Sequence, residues 1–117
     1  MVGSLGQVTV PSPGVLVRAT VNQTDPTARI AAQTVEFQVL PANTGKVMIC
    51  LAGSDMSGTS SNELVLHVLP KPASATTGPF DYWRVGVFNV PSALNPADFY
   101  IDADVPGDGV LITYTNQ

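Results

Sequence analysis

Charge is scarce in this chain. Charged side chains make up 12% of its 117 residues and apolar ones 44%, whereas a soluble domain ordinarily carries about a quarter charged residues. Part of the uncharged surface is therefore expected to meet another subunit. The five cations, Arg18, Arg29, Lys46, Lys71 and Arg84, are scattered along the chain. Nucleic-acid binding needs clustered cations that displace counterions from phosphates, so a chain with net charge −4 is not expected to bind DNA or RNA.

Cysteine and histidine occur once each. Cys50 has no second cysteine in the chain to bridge to, and its run Val47-Met48-Ile49-Cys50-Leu51 is apolar, which predicts a buried, inert thiol. A zinc site needs several such ligands at set spacings. A serine or cysteine hydrolase needs a nucleophile, a histidine base and an orienting acid. The one histidine, His67, sits in a strand-like run and reads as a residue with its ring at a sheet surface or an interface. No enzyme, metal or cofactor is expected. No apolar run approaches the ~20 residues of a membrane span, and residues 1–7 lack both a basic start and an apolar signal stretch. The expectation is synthesis in a cytoplasm, a soluble product and no membrane partner. Asn22-Gln23-Thr24 matches a glycosylation acceptor but reads as a polar turn.

What the chain does contain is punctuation. Ten Gly and ten Pro cut it into short β-prone runs with no sustained helical period, the spacing of an all-β fold. The expected fold is a single domain over residues 1–117, a β-sandwich or jelly-roll-like barrel of seven or eight short antiparallel strands. Strands are expected at residues 7–10, 15–21, 30–40, 46–51, 63–69 and 80–90, followed by a closing hairpin. In the third, Val35, Phe37 and Val39 alternate with Thr34, Glu36 and Gln38, placing one face on the core. Residues 52–62, rich in Gly and Ser, read as a loop. Residues 91–98 read as one helical turn, capped by Ser92 and stopped by Pro96. An aromatic cluster, Phe80, Tyr82, Trp83 and Phe88, falls in the sixth strand. Tyr82 and Trp83 are neighbours on opposite strand faces, so they form no shared sugar platform, and Trp83 reads as core or interface.

Asp102, Asp104 and Asp108 bring three carboxylates close together, as a calcium site would. Asp102 and Asp104 are expected on one strand face, but Pro106 stands where a calcium loop would place its third ligand. The favoured reading is aspartates that form turns and charge a sheet edge.

Two segments share one form. Val39-Leu40-Pro41-Ala42-Asn43-Thr44-Gly45-Lys46-Val47-Met48-Ile49 reads strand, turn, strand. So does residues 99–114, where two β-prone runs flank Pro106-Gly107-Asp108-Gly109 as a hairpin. The Asn-Thr-Gly-Lys turn, followed downstream by Tyr-Ile-Asp-Ala-Asp and Gly-Val, resembles small accessory structural proteins of tailed-bacteriophage virions. Asn43, Gly45, Asp102, Ala103, Asp104 and Gly109 carry the likeness. Such proteins often have a shorter middle than this chain, which inserts a proline-rich piece at residues 69–79.

The resemblance implies a non-enzymatic virion protein, most often a capsid decoration or cement protein bound between subunits of the major capsid protein. At a threefold lattice point its copies would form a homotrimer. The alternative is a tail, baseplate or fibre-associated β-module that joins components or binds glycans. Residues 1–7, as an extended arm, and the 70–79 loop are expected to reach neighbours. Val2, Leu5, Pro70, Pro72, Phe80, Tyr82 and Trp83 are the candidate contact residues.

Overall fold

The computed structural model describes residues 2–51, 65–86 and 94–116. Among these residues eight strands run in chain order: β1 Val2–Thr9, β2 Val17–Arg18, β3 Thr34–Val39, β4 Val47–Leu51, β5 Val65–Leu69, β6 Tyr82–Gly86, β7 Phe99–Ala103 and β8 Gly109–Thr115. They form two four-stranded antiparallel sheets, ordered β1-β8-β3-β6 and β2-β7-β4-β5. Within them β1 pairs with β8, β2 with β7, β3 with β6 and β4 with β5. The numbers in each pair sum to nine, as happens when one antiparallel ribbon is wound into two layers. This is the jelly roll, and the expected all-β sandwich is what the chain builds.

Alternation explains the core. In β3, Val35, Phe37 and Val39 are buried while Thr34, Glu36 and Gln38 stand half out. Phe37 is fully buried and packs edge-on against Phe99 with ring centroids 5.5 Å apart. Ile49 and Ile101 from the second sheet meet Val8, Val110 and Ile112 from the first in the same cluster. Strand β7 is buried along its whole length. One face lies on this core; the other bears a smaller cluster in which Leu16 packs with Cys50 and Tyr100. Cys50 is buried, as its apolar run predicts.

The expected closing hairpin is corrected, and the strand-turn-strand segment at 39–49 is no hairpin either. Strands β3 and β4 lie in different sheets, as do β7 and β8. Each strand-turn-strand segment therefore crosses from one layer to the other, because its strands find better partners far away in sequence than across their own turn.

The N-terminal segment is corrected as well. From Val2 onward it is strand β1, laddered to β8 with a bulge between Ser4 and Gly6. Its three small residues, Gly3, Ser4 and Gly6, hide the strand from propensity, but Gly6 has a φ of 78° that suits the bulge. Pro96 opens the short 3₁₀ turn Pro96–Asp98 rather than closing it, and Asn95 caps it. Proline suits a first helical position because its missing N–H has no partner there anyway. The expected Ser92 cap, the 52–62 loop and Phe88 lie outside the described residues.

Candidate functional site

The two crossovers lie side by side, and four of the six residues that carry the resemblance, Asn43, Gly45, Asp104 and Gly109, gather there. Asn43 is buried. Its Nδ2 donates to the Gly109 carbonyl at 2.8 Å, and the Gly109 N–H donates back to Oδ1 at 3.0 Å. Asp108, also buried, accepts the Thr44 N–H with both carboxylate oxygens and the Gly45 N–H at 2.8 Å with Oδ2. The Asp104 N–H donates to the Lys46 carbonyl at 3.1 Å, and the exposed Lys46 ammonium lies 3.8 Å from the Asp104 carboxylate. Each turn thus supplies what the other's backbone needs.

Glycine is required at one point of this clasp. A Cβ on Gly109 would stand 2.0 Å from the Val8 carbonyl oxygen and 2.7 Å from Thr9 Cα. The β1 backbone passes too close for any side chain, which is why Asn43 meets a bare main chain there.

The three aspartates have separate tasks. Asp102 is 1% exposed on β7, and its Oδ1 accepts the Gly14 and Ala103 N–H groups, each at 2.8 Å. It ties the segment around Gly14 and Leu16 over the outer face of the second sheet. Asp104 lies beyond the end of β7 and is exposed. The expectation that Asp102 and Asp104 share a strand face is therefore corrected, because the strand ends between them. The edge-charging role fails for Asp102, which lies on a central strand. Among the described residues no group of three His, Cys, Asp or Glu is placed to hold a metal ion.

The candidate contact residues are dispersed. Val2 is exposed, whereas Leu5 is 1% exposed in the core and cannot serve as a contact. Pro70 is exposed and Pro72 half-buried in the connection from β5 to β6. Phe80 and Trp83 pack against the core, and Tyr82 stands out at 59% exposure. Trp83 stacks on Phe37 at 6.0 Å and on His67 at 5.1 Å with the latter rings 5° from parallel. The rings of Tyr82 and Trp83 thus point apart, as their alternation requires.

Two features escaped the sequence. The Asn22 amide donates to the Gln7 carbonyl at 2.8 Å, against β1, so the residue read as part of a polar turn also serves as a brace. Strand β5 is an edge strand with Val65, Leu66 and Val68 exposed. Its mostly apolar run, broken only by His67, gave a signal, but such a run ordinarily marks a central strand. Arg84 on β6 bonds Glu36 on β3 at 2.7 Å, and that hydrogen bond raises the arginine's already high pKa.

Compared with protein families, known proteins and solved structures, the chain matches none.

Proposed function

We propose that this protein is a non-enzymatic structural component of a tailed-bacteriophage virion, acting as a decoration or cement protein on the capsid. The observation that carries the reading is the convergence of Asn43, Gly45, Asp104 and Gly109 on one clasp. Asn43 and Gly109, separated by more than half the chain, bond to each other, while Gly45 is held by Asp108 and Asp104 by Lys46 across the same two turns. The jelly roll is also an architecture of viral capsid and lectin domains, although a fold alone assigns no function.

In this role the protein binds the major capsid protein between subunits and adds buried area that opposes outward pressure from packaged DNA. Its place of action is the virion, after synthesis in the host bacterial cytoplasm. The tail or fibre alternative with glycan binding is the weaker reading, because Trp83 is engaged with Phe37 and His67. Co-sedimentation with expanded capsids tests the proposal. Binding in hundreds of copies per particle supports it; failure to bind shells while binding tails or a glycan array overturns it.

A further inference from the structure

We propose that Asp108-Gly109 is a latent isoaspartate-forming site, and that the clasp built on Asn43 sets how fast it converts. It is the only place in the sequence where glycine follows an aspartate or an asparagine. Glycine after such a residue leaves the side-chain carbonyl carbon open to attack by the main-chain nitrogen, because it has no Cβ in the way and reaches backbone angles closed to other residues. The Gly109 nitrogen attacks Asp108 Cγ, and the amide proton departs with the carboxyl hydroxyl as water. A second water then opens the five-membered succinimide at either of its carbonyls. One opening restores the aspartate. The other routes the main chain through Cβ and Cγ, with a free α-carboxylate and no net change in mass.

The fold itself demands this dipeptide. Position 109 must be glycine, since a Cβ there would stand 2.0 Å from the Val8 carbonyl oxygen. Position 108 must offer two oxygens, because the Thr44 N–H bonds to both and the Gly45 N–H to one of them. These contacts also oppose the reaction. The attacking nitrogen is committed to Asn43 Oδ1 at 3.0 Å, and the carbon under attack is pinned across the gap between the turns. Both residues are buried. On the β1 side, the Asp108 carbonyl accepts the Val10 N–H at 2.9 Å, and the Gly107 N–H donates to the Val10 carbonyl at 2.8 Å. Cyclisation breaks the bonds to Asn43, Thr44 and Gly45 together, so it proceeds from a locally opened clasp.

Conversion also destroys its own guard. The additional main-chain carbon at the head of β8 moves the Gly109 amide away from Asn43, and the relocated carboxylate no longer faces the Thr44 and Gly45 amides. Each opening of the clasp thus carries a chance of permanent damage. The inference is independent of the virion reading, since it concerns the folded chain alone.

The test is incubation at neutral pH below the melting transition, with isoaspartate counted by an isoaspartyl methyltransferase on the tryptic peptide that carries Asp108. The folded chain should convert at least about tenfold more slowly than the chain unfolded in urea, because opening must come first. Asn43→Ala, kept folded as judged by circular dichroism, should convert about fivefold faster or more, as a lost buried acceptor raises the open fraction by that factor. Val35→Ala is the control. It removes buried side chain at the far end of β3, opposite Tyr114, and should leave the rate near that of the intact chain. Asp108→Asn supplies a second readout, since the same attack then releases ammonia and registers as an amide-to-acid mass change, slow when folded and fast in urea. Equal rates for folded and unfolded chain in either form, an Asn43→Ala protein no faster than the intact one, or a Val35→Ala protein as fast as Asn43→Ala overturns the proposal.

Discussion

Asn43 and Gly109, 66 residues apart in the chain, exchange two hydrogen bonds, side-chain amide to main-chain carbonyl and main-chain amide to side-chain carbonyl. Through this exchange an interlayer turn at one end of β3 is fastened to the start of β8. The clasp lies where both crossovers leave the first sheet, so it ties together the turns that hold the two layers in register.

Asn43→Ala should destabilise the domain by about 1–3 kcal/mol, because the buried Gly109 N–H loses its acceptor while the Gly109 carbonyl keeps the longer bond from the Leu40 N–H at 3.3 Å. Urea unfolding at constant m-value measures it. A change within error of zero would show that water or a shifted backbone replaces the amide.

Asp108→Ala should cost about 2–4 kcal/mol, since the Thr44 and Gly45 amides lose a charged acceptor. Asp108→Asn retains one carbonyl oxygen and should cost roughly half as much. Thermal melts of the two variants side by side check the order; an asparagine as damaging as alanine would mean that charge matters more than acceptor count.

Gly109→Ala meets the Val8 carbonyl at 2.0 Å, a distance that forces the β1 and β8 backbones apart. Overpacking a tight site costs about 1–3 kcal/mol and occasionally more, and this variant should lie at the upper end or fail to fold. Gly107→Ala is a useful contrast. Its added methyl meets nothing within 4 Å, but its φ of 87° makes the substitution a test of backbone strain alone.

Phe37→Ala should cost about 3–5 kcal/mol, as removal of a fully buried aromatic leaves both a cavity and lost transfer energy. Near-ultraviolet circular dichroism should change with it, because Trp83 loses the ring on which it stacks.

Asp102→Ala should expose a thiol. Without the carboxylate, the Gly14 amide loses its acceptor and Leu16 is less firmly held over Cys50. The rate at which Cys50 reacts with a thiol reagent under native conditions should rise, and an unchanged rate would show that Leu16 stays seated without Asp102.

Much of the strand pattern could be read directly from residue order. Val35, Phe37 and Val39 alternate strictly, and β3 emerged with that face inward. The apolar run around Cys50 became an inner strand of its sheet. The N-terminal strand was harder to see, because Gly3, Ser4 and Gly6 are poor strand formers and only the long ladder to β8 draws them in. The candidate contacts fared worst: Leu5 was read with an extended arm and instead fills the core.

The residue order alone determined the class of fold, since alternation and turn spacing act over a few neighbours and fix which residues can form strands. It also determined where the chain turns, at Asn43 to Gly45 and at Pro106 to Gly109. Only the tertiary structure decided what those turns connect. Pairing partners in a jelly roll lie up to a chain length apart, and the choice between a hairpin and a crossover depends on which distant strand offers the better ladder and the drier face. The clasp belongs to that second level, as Asn43 and Gly109 become neighbours only after both sheets have closed around the same core.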